Sequence, residues 1–154
     1  MAKNLLVKLR PLEAKVVAAA GPFLLLAVRV IVGYGLFRLG YAKLGEYHPV
    51  MVETLKGAGI PAPELNAYVV AFCEALGGIL LMLGLLTRYA AAMMIVVLSM
   101  ALITVHRSEM GLIWSTPWDT VAAAPIPYLV AFLTIGVSGP GRFSLDHAWL
   151  KHTT

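Results

Sequence analysis

The chain has 154 residues, of which 60% are hydrophobic and only 13% charged. A soluble domain carries about 25% charged residues, and one of this length cannot hide so much apolar surface. The formal net charge of +4 is spread between apolar segments and forms no continuous stripe, which argues against a nucleic-acid-binding surface.

The apolar segments predict four membrane spans, over about 22–42, 66–86, 89–105 and 121–138. Each is near the ~20 residues that cross a ~30 Å hydrocarbon core. The third is slightly short, and the fourth carries Pro125 and Pro127 near its start, where a first helical turn tolerates them. The expected fold is all-α: a polytopic four-transmembrane-helix bundle, one domain over residues 1–154.

Residues 1–15 precede the first span. Leu5, Leu9, Leu12 and Val16 share a helical face, which suggests an interfacial helix that Pro11 breaks or restarts. The start has basic residues, an apolar run and Ala18-Ala19-Ala20, as a signal peptide does. The apolar run continues past Ala20 for a full span, however, so the first span is expected to be retained.

Residues 43–65 form the longer external loop. Met51, Val52 and Leu55 fit a short amphipathic helix, either lying over the mouth of the bundle or acting as a lid over a ligand. The run GAGIPAP then ends it, because Gly57, Gly59, Pro61 and Pro63 all oppose helix. Arg88 sits in a very tight turn between the second and third spans. In the second external loop, 106–120, Trp114 and Trp118 fit an interfacial aromatic belt, as do Tyr41 and Tyr68 at neighbouring span ends. Gly139-Pro140-Gly141 stops the fourth span, and Ser144 is placed to cap a short helix containing Trp149.

The basic residues are asymmetric. Lys3, Lys8, Arg10, Lys15, Arg88, Arg142 and Lys151 fall on one side, and Lys43, Lys56 and Arg107 on the other. The positive-inside rule then places both termini in the cytoplasm of a multi-pass plasma-membrane protein. Cys73 is the one cysteine, which excludes an intramolecular disulfide, a CxxC redox pair and a cysteine-ligated cluster. No metal-ligand spacing, P-loop or hydrolase triad is present.

Two charges lie deep within spans, Arg29 in the first and Glu74 in the second. An isolated charge there costs roughly 3 kcal/mol or more. At 1.5 Å per residue, Arg29 is expected about 10 Å above the inner boundary and Glu74 about 12 Å below the outer one. The remaining gap is about 8 Å in a core of about 30 Å, so the two are expected to pair. Gly33 and Gly40 share a face with Arg29, and Gly77 and Gly78 adjoin Glu74, so the backbones can approach closely. Arg38 competes for Glu74 and is free to snorkel. The pair reads either as a structural clamp or as the wall of a polar pocket for a quinone head group or another small ligand. His106, at the outer end of the third span, reads either as an interfacial residue or as a proton relay and hydrogen-bond partner of a quinone carbonyl.

Several segments together resemble the DoxX family of small four-span bacterial membrane proteins. The first span is similar to the family's series at Arg29, Gly33, Phe37, Gly40 and Lys43. GAGIPAP resembles its Gly-x-Pro turn, EALGGILLMLGLLTR (74–88) its most recognisable segment, and GPGRFSLD (139–146) its closing motif. His106 stands where many members have a histidine. The resemblance covers roughly residues 27–146. It implies an inner-membrane subunit of a quinone-linked oxidoreductase system, akin to subunits associated with quinol oxidase or thiosulfate:quinone oxidoreductase. On that reading Arg29, Glu74, Lys43 and His106 bind the ligand. The bilayer, a quinone and a redox partner protein are the expected partners, with no metal and no covalent cofactor. The alternative is a non-catalytic assembly or stabilising subunit in which the Arg29–Glu74 pair is structural.

Overall fold

The computed structural model describes residues 2–107 and 125–153. The described residues form six helices: α1 (Ala2–Leu44), α2 (His48–Gly57), α3 (Pro63–Leu83), α4 (Thr87–Thr104), α5 (Ile126–Ser138) and α6 (Leu145–Thr153). Three stretches are long and apolar enough to cross a membrane, Ala18–Leu44, Pro63–Leu83 and Thr87–Thr104, and Ile126–Ser138 is a shorter apolar helix. The beginning of the expected fourth span, residues 121–124, and the loop with Trp114 and Trp118 lie outside the described residues.

One expectation fails in α1. Pro11 does not break the helix, which runs continuously from Ala2 to Leu44 through both Pro11 and Pro22. Leucine, glutamate, lysine and alanine flank Pro11, and these strong helix formers carry the helix across one missing hydrogen bond. Around Pro22 an apolar medium offers the backbone no partner outside the helix. The side chains of Leu5, Leu9, Leu12 and Val16 lie outside the described residues.

Helix α2 forms over the expected residues and buries Val52 and Leu55 against Ala67. Pro63 opens α3 at its first turn, where its missing N–H costs nothing. Gly84, at φ +65°, closes α3: its N–H donates to Leu81 O and that of Leu85 donates to Leu80 O. The turn to α4 is therefore only Gly84–Leu86, and α3 and α4 are antiparallel neighbours. Leu36, Leu81, Met94, Phe132 and Ile135 fill the core between α1, α3, α4 and α5. Large apolar side chains such as Ile31, Val96, Ile103 and Val137 point outward. That outward-facing pattern suits lipid, in which close packing of small residues holds helices together.

The largest interface joins α1 to α3, and glycine sets it. A Cβ on Gly33 would stand 2.8 Å from Gly78 O, and one on Gly78 would stand 2.5 Å from Gly33 O. A Cβ on Gly40 would overlap backbone atoms of Ala71 and Ala75. The small residues beside the two charges thus bring the helices together as expected. They also fix the antiparallel register, with Gly33 opposite Gly78–Met82 and Gly40 opposite Ala71–Ala75. Residue 39 is then level with Glu74.

Gly40→Ala forces the two backbones apart and is expected to lower stability by roughly 1–3 kcal/mol. Gly57→Ala has open space around its Cβ and is expected to be neutral. Unfolding midpoints in mild detergent check this, and equal midpoints for the two variants would contradict the contact.

Candidate functional site

Arg29, Glu74, Thr87 and Ser144 are the buried polar or charged side chains among the described residues. They belong to two separate clusters, one at each end of the bundle.

Arg29 is 1% exposed and does not meet Glu74. Its Nε donates to Leu81 O at 3.2 Å, Nη2 to Phe143 O at 3.3 Å, and Nη1 to Pro140 O. Leu81 O belongs to the last turn of α3, where free carbonyls and the helix dipole favour a cation. Gly84 has no Cβ because the Arg29 guanidinium occupies that space. Asp146 continues the network on the same turn. Its Oδ1 accepts from Leu86 N at 2.7 Å, and its Oδ2 accepts from Thr87 N and Thr87 Oγ1, both at 2.9 Å. The Asp146 N–H donates to Gly84 O at 3.0 Å. Helix α4 has no cap of its own, because Leu86 has no polar side chain, so Asp146 caps it from the tail. Ser144 caps α6 as expected, accepting from His147 N at 3.1 Å.

The expected Arg29–Glu74 pair is therefore corrected. The depth estimate treated the two spans as starting and ending together. In the observed register α3 ends level with Arg29, which stands ten residues, or about 15 Å, along α1 from the level of Glu74. Arg29 is a polar stitch at the end of the bundle rather than a mid-membrane charge. Arg38 does not take Glu74 either, because Lys43 does.

Lys43 Nζ lies 2.7 Å from Glu74 Oε1, with the Glu74 side chain 5% exposed and that of Lys43 25%. Lys43 starts about one turn beyond the level of Glu74, and its flexible chain spans the difference. Glu74 Oε2 is buried and has no hydrogen-bond partner among the described residues. Both residues line a cavity of about 460 Å³ between α1, α2, α3 and α4. His106 lines it too, as do Thr54 on α2 and Asn66 on α3, and the remaining wall is mostly apolar, including Met51, Val70, Val97 and Met100. Helix α2 is one wall of this cavity.

Three of the four expected ligand residues, Lys43, Glu74 and His106, thus surround one cavity, and Arg29 lies apart. Sequence reasoning missed Asp146, Thr54 and Asn66. Asp146 stood in the closing motif without a partner in view, and Thr54 and Asn66 carry no signal beyond being polar residues near span ends.

A helical bundle with large apolar side chains outside and charges inside is an integral membrane protein, here with a cavity lined by a half-buried ion pair. The chain belongs to the DoxX family, which residues 24–107 match, and it is a multi-pass protein of the bacterial inner membrane. It is 32% identical over 134 residues to the inner membrane protein YphA of Escherichia coli, covering 83% of this chain and 91% of that one. It is 32% identical over 130 residues to an uncharacterized protein of Haemophilus influenzae, covering 84% of this chain and 93% of that one. An uncharacterized membrane protein of Mycobacterium tuberculosis is 28% identical over 150 residues, covering 94% and 92%. No solved structure gives a significant match.

Arg29→Met leaves three carbonyls without their cationic donor and is expected to cost roughly 3 kcal/mol or more. Asp146→Ala removes one cap and is expected to cost about 1–2 kcal/mol. Both free the tail, so limited proteolysis should cut residues 139–153 faster in each variant. A tail as resistant as in wild type would contradict the stitch.

Proposed function

We propose that the chain is a membrane subunit of a quinone-linked oxidoreductase system, and that the cavity holding Lys43, Glu74 and His106 receives the quinone head group. The chain crosses the membrane four times on this reading, with both termini cytoplasmic, as the basic residues beside α1, Arg88 and the tail suggest. The cavity then lies in the outer half of the bilayer.

The observation that carries the proposal is Glu74 Oε2, buried in the wall of an otherwise mostly apolar cavity without a partner among the described residues. Such a group awaits a hydrogen-bond donor. A quinone ring fits the apolar walls, and its polar edges need a few placed groups. Lys43 and His106 are suited to donate to carbonyl oxygens, and Glu74 Oε2 to accept from the hydroxyl of the reduced form. When bound, a quinone supplies two-electron, two-proton chemistry. Glu74 holds the exchanging proton at Oε2, Lys43 keeps Glu74 oriented through Oε1, and the apolar walls exclude water. A partner protein exchanges the electrons.

Glu74→Gln keeps the shape of the side chain and is expected to lower quinone content about tenfold. The check is mass spectrometry of an organic extract from protein purified in mild detergent, beside a folding control. Stoichiometric quinone in wild type and its loss in a folded variant support the proposal. Equal quinone in both contradicts the role of Glu74, and none in either favours a non-catalytic assembly subunit.

A further inference from the structure

Arg38 lies within the first apolar span, six residues before the end of α1, or about 9 Å from it. A guanidinium at such a depth is usually paired with an acid. Among the described residues the Arg38 side chain makes no hydrogen bond or ion pair. The nearby acids do not bridge it: Glu74 pairs with Lys43, Glu53 pairs with Lys56, and Glu46 lines another cavity with Arg38 without an ion pair to it.

Arg38 faces a second cavity, of about 510 Å³, where α1, α2 and α5 meet. Tyr47 and Tyr128 share its lining, and Leu39, Val50 and Met51 form its apolar part. The Tyr128 hydroxyl lies over Gly35, whose missing Cβ would stand 2.8 Å from it, and makes no hydrogen bond among the described residues. The Thr54 hydroxyl is already spent on Val50 O at 2.8 Å, and Lys43 is neutralised by Glu74. The cavity therefore presents an unpaired guanidinium and phenolic donors against apolar walls.

We infer that this groove binds a phosphate-headed anionic lipid, with Arg38 and Tyr128 on the head group and the acyl chain along the apolar wall. The charge is complementary, and arginine meets phosphate with two parallel donors. A lipid rather than a soluble anion fits, because the groove lies at the depth of the outer bilayer region and is walled by apolar side chains. Exposed Ile31, Tyr34 and Leu39 on α1 continue that apolar surface beside it. The groove adjoins the Glu74 cavity through Lys43, Met51 and Thr54, and its place in the outer bilayer region rests on the orientation proposed above.

The test is thermal unfolding of the full chain in mild detergent, titrated with phosphatidylglycerol, phosphatidylcholine or inorganic phosphate. Phosphatidylglycerol is expected to stabilise wild type, with about tenfold weaker apparent affinity in Arg38→Gln and a smaller loss in Tyr128→Phe. Arg38 is exposed and unpaired, so Arg38→Gln should fold. Equal phosphatidylglycerol affinity in wild type and Arg38→Gln overturns the inference. So does equal stabilisation by phosphatidylcholine, or full stabilisation by inorganic phosphate alone, which would mark a site for a free anion.

Discussion

Where two helices touch through glycine, their backbones cannot slide without collision, and that contact governs the rest of this molecule. Gly33, Gly40 and Gly78 lock α1 against α3 in one antiparallel register. Two long polar side chains on α1 then have set destinations. Arg29 reaches the carbonyl end of α3, and Lys43 reaches Glu74. A shift by one helical turn would move Arg29 about 5 Å from its place at the carbonyl end of α3.

The two ends of the bundle consequently differ in kind. At the end with Arg29, the buried polar side chains of Arg29, Thr87 and Ser144 are all hydrogen-bonded. Its guanidinium takes three carbonyls from two segments, and Asp146 caps α4 from sixty residues away in sequence. These contacts tie the tail onto the α3–α4 turn. At the other end Glu74 Oε2 is buried without a partner among the described residues, and α2 is one wall of a cavity. On the proposed reading the unsatisfied Glu74 oxygen marks a place for a ligand, whereas the satisfied groups around Arg29 form a joint.

The helices were readable from the sequence because each depends on local pattern. Apolar length marked the apolar helices, Met51, Val52 and Leu55 marked α2, and Gly139 marked a helix end, whereas Pro63, read as opposing helix, opens α3, and Gly84, read as inside a span, closes it. Pro11 misled because its effect depends on the helix formers around it. Pairing was not readable, because it depends on register. Depth counted from span boundaries placed Arg29 beside Glu74, and an error of a few residues at each boundary moved the partner from Lys43 to Arg29. The glycines that set the register were recognised as a contact face, but a face does not say which residue lies opposite which. Asp146 and Thr87 were out of reach for the same reason: a cap supplied from a distant segment leaves no periodic trace.

The register itself is the claim to test most directly. Cysteine pairs placed in a chain with Cys73→Ala, reacted in native membranes with a short thiol cross-linker, report which residues meet. The structure predicts efficient cross-linking of Lys43→Cys with Glu74→Cys and none of Arg29→Cys with Glu74→Cys. Efficient cross-linking of the second pair and not the first would contradict the register, and with it the assignment of Arg29 to the tail and of Glu74 to the cavity.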